Sequence, residues 1–209
     1  MSNYTEYEYS SEELDHTQKY IYEPIIQTLG GRKDLKILDI GCGNGSLANK
    51  LIDLGYNVYG VDASVSGIEI AKRKNPTRFF CFNLTSDTIP TELSNINFDI
   101  ILSTEVIEHV YSPKAFMHLC SAILVNSSHK EIIFTTPYHG FLKNLILSLT
   151  NKWDAHLNPL WEGGHIKFWS KKSLCNLLNA HNFKAINFIG CGRLPYIWKS
   201  MLIHAKINE

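Results

Sequence analysis

Lys36-Ile37-Leu38-Asp39-Ile40-Gly41-Cys42-Gly43-Asn44-Gly45-Ser46 is the stretch on which the fold turns. An apolar run ends in a carboxylate and passes into three glycines spaced two apart. Helical periodicity then takes over in Leu47-Ala48-Asn49-Lys50-Leu51-Ile52. Such a pattern describes a buried strand, a tight turn and the start of a helix. Glycines in this turn let the backbone approach a ligand that a side chain would hold off. Their spacing discriminates between ligands. A dinucleotide fingerprint is G-x-G-x-x-G, with its third glycine where helix packs on strand. Here the order is Asp-x-Gly-x-Gly-x-Gly, and Leu47 and Ala48 follow Ser46. A nicotinamide oxidoreductase is therefore disfavoured.

Working outward, Asn57-Val58-Tyr59-Gly60-Val61-Asp62 reads as a second strand that also ends in an acid. A βαβ unit delivers an acid at this point to a ribose edge. The Asp62 carboxylate can accept from two neighbouring hydroxyls, and it would repel a 2′-phosphate. The glycine turn with this acid resembles motif I and the following strand of the class I S-adenosylmethionine-dependent methyltransferases. That resemblance implies an α/β, class I methyltransferase (Rossmann-like) fold. Its sheet has seven mostly parallel strands with helices on both faces, an α/β/α sandwich whose last strand pair forms an antiparallel edge. It also implies S-adenosylmethionine as cofactor, contacted by Asp39, Gly41, Cys42, Gly43, Gly45, Asp62, Ala63, Asn83, Leu84, Thr104 and Glu105. Many relatives carry Asp where Asn83 stands, to accept from the adenine amino group. Asn83 can accept through its amide oxygen, with Asp87 as the alternative.

The rest of the chain alternates strands and helices, the sign of a parallel sheet covered on both faces. A leading helix is expected over Glu12–Leu29, stopped by Gly30-Gly31. Strands follow at Leu35–Ile40, Asn57–Val61, Arg78–Phe82, Phe98–Ser103, Glu131–Thr136, Ala185–Ile189 and Ile197–Ala205. Helices are expected from Ser46, from Ser64 or Ser66, from Pro113 and, capped by Ser170, through His181. One domain over residues 1–209 is implied, with residues 1–33 as a helical lid and 137–165 as a substrate-facing insertion. That insertion carries Tyr138, Phe141, Trp153 and Trp161 with His139, His156 and His165, and long loops of this kind usually serve binding.

Charge narrows the partners. Lys and Arg number 20 and Asp and Glu number 20, for a formal net charge of zero. No dense basic run is present, which weighs against phosphate-driven nucleic-acid binding. Cys42, Cys81, Cys120, Cys175 and Cys191 are scattered and never in C-x-x-C spacing, which suits a reducing cytoplasm. The N-terminal residues lack the layout of a signal peptide, and no apolar stretch has the length of a membrane span. Phe141–Leu149 is apolar and short. It is read as a lid helix on the core, with weak peripheral membrane contact as the alternative. Oligomeric state has no signature in the sequence.

Thr104-Glu105-Val106-Ile107-Glu108-His109-Val110 follows the fourth strand, at the carboxyl end where ligands bind in open α/β sheets. If a helical turn begins at Glu105, then Glu105, Glu108 and His109 share a face. Such a set can hold a divalent cation, Mg²⁺ or Mn²⁺ by its oxygens, with Co²⁺ or Zn²⁺ admitted by the histidine. Carboxylates also suit a helix start electrostatically, with no metal. The string is similar to the ubiquinone-biosynthesis O-methyltransferases and the small-RNA 3′-terminal 2′-O-methyltransferases, which share E-x-x-E-H. In both groups a second histidine follows the fifth strand. Gly163-Gly164-His165-Ile166-Lys167-Phe168 is similar to the G-x-H-x-x-K-F segment of the quinone enzymes. The resemblance implies Glu105, Glu108, His109 and His165 as metal ligands, and His165, His139 or His109 as general base. The function implied is O-methylation of a small-molecule hydroxyl, on a quinone precursor, sugar or other metabolite. RNA ribose methylation and a non-catalytic S-adenosylmethionine-binding module are the alternatives.

Overall fold

The computed structural model describes residues 9, 11, 13, 16–83, 89–157, 159–160 and 163–208. The elements run α1 (Gln18–Leu29), β1 (Lys36–Ile40), α2 (Ser46–Asp53), β2 (Asn57–Asp62), α3 (Val65–Lys72) and β3 (Phe79–Cys81). After a 3₁₀ turn at Thr91–Leu93 come β4 (Ile100–Thr104), α4 (Pro113–Ile123), β5 (Glu131–Pro137), α5 (Phe141–Leu149) and α6 (Trp153–Leu157). The chain closes with α7 (Lys171–Ala180), β6 (Phe183–Cys191) and β7 (Ser200–Ile207). The sheet order is β3-β2-β1-β4-β5-β7-β6. β1 to β5 pair in parallel, and β7 runs antiparallel to both β5 and β6. This is the seven-stranded α/β sandwich implied by the alternation. Strand order reverses between β1 and β4, which opens a crevice above their carboxyl ends.

Alternation along the strands loads both faces of the sheet. Ile37, Ile100, Leu102 and Ile133 face a cluster with Ile21, Ile25 and Leu29 of α1 and Leu47 and Leu51 of α2. Their neighbours Leu38, Ile101, Ile132 and Phe134 face Phe116 and Met117 of α4 and Leu174 and Leu178 of α7. Each fully buried Leu or Ile stabilises the fold by ~1.5–3 kcal/mol before entropy is counted. At the amino end of β5 the buried Glu131 carboxylate binds Arg32 through one nitrogen at 2.8 and 2.9 Å, His204 at 2.7 Å and Lys206 at 2.9 Å. Burial alone would raise its pKa. Donors from His204, Arg32 and Lys206 outweigh that and hold the carboxyl well below its usual range. This network ties α1 to β5 and β7 at the end of the sheet away from the crevice.

Some boundaries differ from the sequence reading, for local reasons. α1 starts at Gln18 rather than Glu12; Glu12, Leu14 and Asp15 lie outside the described residues. The chain just before α1 lies against the glycine turn instead. Asn44 Nδ2 donates to the Ser11 carbonyl at 2.7 Å, and Ser46 Oγ to Gln18 Oε1 at 2.6 Å. β4 starts at Ile100, because Asp99 accepts from the Lys36 N–H at 2.9 Å and from Ser127 Oγ at 2.8 Å. β7 starts at Ser200 rather than Ile197. Arg193 and Tyr196 hold left-handed φ values of 62° and 65° in the turn before it.

Candidate active site

A cavity of about 1770 Å³ opens above the carboxyl ends of the central strands. Pockets for one drug-sized ligand run ~300–1,000 Å³, so the space suits a cofactor and a second molecule. One end is lined by Gly41, Cys42, Gly43, Asp62, Ala63, Asn83 and Thr104. All three motif glycines have positive φ. Two of them also serve packing: a Cβ at Gly41 would run into Val106, and one at Gly45 into Ala71 of α3. Gly45 therefore caps α2 from below the cavity and does not line it. Asp62 accepts the Gly43 N–H and the Ser64 N–H, both at 2.8 Å, which fixes its carboxylate at the end of β2. Burial raises its pKa, and these N–H groups oppose the rise. Asp39 is buried under the turn, outside the cavity lining, and neither carboxylate oxygen has a partner among the described residues. Burial, then the Asp62 charge, push it up to about 8. Leu84 and Asp87 lie outside the described residues.

The helical turn expected at Glu105 does not form. Glu105 takes a left-handed φ of 55°, and its N–H donates to the Thr135 carbonyl at 3.0 Å. Its carboxylate turns to β5 and β7, accepting from Thr135 Oγ1 at 2.9 Å and Ser200 Oγ at 3.1 Å. Glu105 still lines the cavity but stands apart from Glu108 and His109. Glu108 is buried. Its Oε2 accepts from Thr136 Oγ1 at 3.0 Å, and its Oε1 has no hydrogen-bond partner among the described residues. The Glu108 carbonyl accepts the N–H groups of both Ile166 and Lys167 at 2.9 Å. That clamp lays residues 163–167 along the β4 exit loop and brings His165 against His109, ring centroids 4.9 Å apart and nearly perpendicular. One ligand-type atom each from Glu108, His109 and His165 then lie within 4.8 Å of one another.

Electrostatics sharpen this cluster. Burial, then the Glu105 charge, push the Glu108 carboxyl well up. Burial lowers His109 against the Gly164 and Gly163 carbonyls, and it lowers His165 to about 4 with His109, His156 and Lys143 adding repulsion. Both shifts favour the neutral form of the ring. His109 Nδ1 sits 3.2 Å from the Gly164 carbonyl, which selects the tautomer with that nitrogen protonated and leaves Nε2 as a lone pair. His165 Nδ1 is buried without a hydrogen-bond partner among the described residues. His139, expected beside them, lies outside the lining. Its ring stacks on Trp153, meets His156 and Phe168 edge-on, and its Nδ1 pairs with Asn144 Oδ1 at 3.2 Å. His156, named with the substrate-facing segment, lines the cavity, as do Lys143 and Arg193, which the sequence reading does not single out. Lys143 had one available signal, being the single charge within Phe141–Leu149.

Comparison with known proteins agrees with this geometry. The family described as "Methyltransferase domain" matches residues 14–187. The chain is 29% identical over 197 residues to the ubiquinone biosynthesis O-methyltransferase of Pelagibacter ubique, covering 87% of this chain and 78% of that protein. It is 36% identical over 148 residues to the enzyme of that name from Bradyrhizobium diazoefficiens, covering 66% of this chain and 58% of that one. Against several such relatives it thus spans little more than half their length. The fold matches magnesium protoporphyrin IX methyltransferase from Synechocystis, solved with bound S-adenosylhomocysteine, at TM-score 0.67 and 18% identity over 96% of this chain and 91% of that one. A methyltransferase from Anabaena variabilis gives TM-score 0.67 at 16% identity, over 92% and 86%. No helix among the described residues is long and apolar enough to cross a membrane. With the glycine turn, Asp62 and the reversal of strand order in place, the chain belongs to the methyltransferase-domain family and is an S-adenosylmethionine-dependent methyltransferase.

Proposed function

We propose that this enzyme methylates a hydroxyl oxygen of a small molecule, with Glu108, His109 and His165 holding a divalent cation beside the acceptor. One observation carries the reading: three donor atoms converge on the cavity while, among the described residues, neither Glu108 Oε1 nor His165 Nδ1 has a hydrogen-bond partner. A buried carboxylate oxygen without a donor is costly, and a cation would satisfy it. Two imidazoles and one carboxylate, with Glu105 turned away, favour Mn²⁺, Co²⁺ or Zn²⁺ over Mg²⁺. The names of the curated relatives support oxygen as the acceptor atom. Zero net charge supports a small molecule over RNA, and five free cysteines support a cytoplasmic setting.

S-adenosylmethionine supplies an activated methyl group. Asp62 would hold its ribose hydroxyls, and Asn83, Ala63 and Thr104 stand along the same wall. Asp39, Gly41, Cys42, Gly43 and Gly45 shape the turn below it. Ser11 lies against this turn and is read as part of a lid. A bound cation would lower the pKa of the acceptor hydroxyl and orient it. Thr136 holds Glu108, and the Gly164 carbonyl holds His109, in the orientation such a role needs. The neutral His165 and His109 rings can also accept the hydroxyl proton directly.

The test is transfer of labelled methyl from S-adenosylmethionine into a fractionated cell extract, with chelator and with added Mg²⁺, Mn²⁺ or Co²⁺. Label in a small-molecule fraction, lost with chelator and restored best by Mn²⁺ or Co²⁺, is expected. Label that survives chelator removes the cation and leaves a histidine base. Label in RNA alone removes the small-molecule acceptor.

A further inference from the structure

Lys143, Arg193 and His156 come from three separate elements and face one end of the cavity. Lys143 is 5% exposed although it carries an ammonium group. It donates to the Lys199 carbonyl at 3.1 Å, and no carboxylate comes within ion-pair distance of it among the described residues. Arg193 reaches the cavity from a left-handed backbone position and likewise has no ion-pair partner among the described residues. His156 Nε2 is buried without a hydrogen-bond partner among the described residues. The nearby acid, Glu105, already accepts from Thr135 and Ser200. Among the described residues Glu105 is the one acid whose charge acts on Lys143, so two cations and a histidine face the void against a single carboxylate, an arrangement that is costly unless an anion enters it.

We propose that the acceptor end of the cavity is an anion subsite, in which Lys143, Arg193 and His156 bind a carboxylate or phosphate carried by the acceptor molecule. The proposal rests on the O-methylation reading and names the substrate class for it: a hydroxylated molecule with an anionic group. Mutual repulsion supports it. Burial first, then Arg193, lower Lys143 to about 8, so it remains cationic at neutral pH. Burial, then Lys143 and Arg193, lower His156. An incoming anion would relieve all three. Lys143 and Arg193 would contribute charge-assisted hydrogen bonds, which are the strong ones, and His156 a neutral N–H.

The experiment uses the full chain saturated with S-adenosylhomocysteine and titrated calorimetrically with 3,4-dihydroxybenzoate, its amide 3,4-dihydroxybenzamide, and catechol. The acid and amide share ring and hydroxyls and differ in charge. At least tenfold tighter binding of the acid is expected. Lys143→Gln should bring the two within twofold, and Arg193→Gln should narrow the gap. Unchanged S-adenosylhomocysteine affinity in each variant shows that it folds. Equal binding of acid and amide, a preference that survives both substitutions, or binding of neither would overturn the subsite. If catechol and the amide bind and are methylated without any preference for charge, the subsite fails and the O-methylation reading stands. If the acid is preferred but no hydroxyl is ever methylated, O-methylation falls while the subsite stands. Displacement of the bound acid by phenyl phosphate before benzoate assigns phosphate, and the reverse order assigns carboxylate; displacement by neither counts against the subsite.

Discussion

The proposed cofactor end of the cavity is assembled mostly within one stretch, residues 36–83, joined by Thr104, whereas the proposed acceptor end draws on the β4 exit loop, α5 and α6, residues 163–167 and the β6–β7 turn. The first end works through backbone: three glycines at positive φ, and an aspartate that fixes two N–H groups. The second works through side chains that meet only when the sheet closes. One end is a local property of a βαβ unit, the other a property of the tertiary fold. A scaffold of this kind can keep its cofactor turn while its acceptor chemistry changes by substitutions in four separate segments.

Separating the two ends by mutation tests this contrast. Glu108→Ala should reduce turnover by about a hundredfold or more through loss of a ligand. S-adenosylmethionine affinity, read by calorimetry, should stay within about threefold if its binding is governed by the other end. Loss of cofactor binding in that variant would merge the two ends. The network remote from both offers a control. Glu131→Gln should cost about 3 kcal/mol in urea unfolding, because Arg32, His204 and Lys206 lose a buried counter-charge. Activity per folded molecule should be unchanged. The depressed Glu131 pKa gives the sign of its pH dependence. Its stabilisation is complete above the unfolded carboxyl value of about 4.3 and is lost as pH falls below that. A variant that keeps the wild-type acid dependence would remove Glu131 from that account.

Smaller effects follow at the cofactor turn. Asp62→Ala should weaken S-adenosylmethionine binding about tenfold to a hundredfold, since the Gly43 and Ser64 N–H groups also lose their acceptor. Unchanged affinity would take Asp62 off the ribose. Gly45→Ala should cost about 1–3 kcal/mol by crowding Ala71, measured as a drop in unfolding midpoint. It should alter cofactor affinity less than Asp62→Ala does, because Gly45 lies outside the cavity lining.

How much was legible in the sequence follows the same division. Strand and helix periodicity point to the βαβ order, and the Gly41–Gly45 turn with Asp62 to the proposed cofactor end, because each depends on neighbours in the chain. Glu108 and His109 are legible from their place and spacing after the fourth strand, whereas His165 comes only from motif resemblance, since the clamp from Ile166 and Lys167 onto the Glu108 carbonyl has no sequence signal. Glu105 was misplaced because helical spacing was assumed where a left-handed residue breaks the turn. His139 was placed in the cavity by its neighbourhood, yet its ring is taken up by Trp153, His156 and Phe168. The Glu131 network and the burial of Lys143 against the Lys199 carbonyl depend on contacts between residues far apart in sequence, and alternation of hydrophobicity does not encode those.

The claim that Glu108, His109 and His165 form a cation site is tested most directly by titrating Co²⁺ into the protein and recording its visible absorption. One equivalent should bind with ligand-field bands, and His165→Ala should lose those bands while keeping S-adenosylmethionine affinity. Absence of any bands in the wild-type protein, or bands unchanged by His165→Ala, would contradict the site.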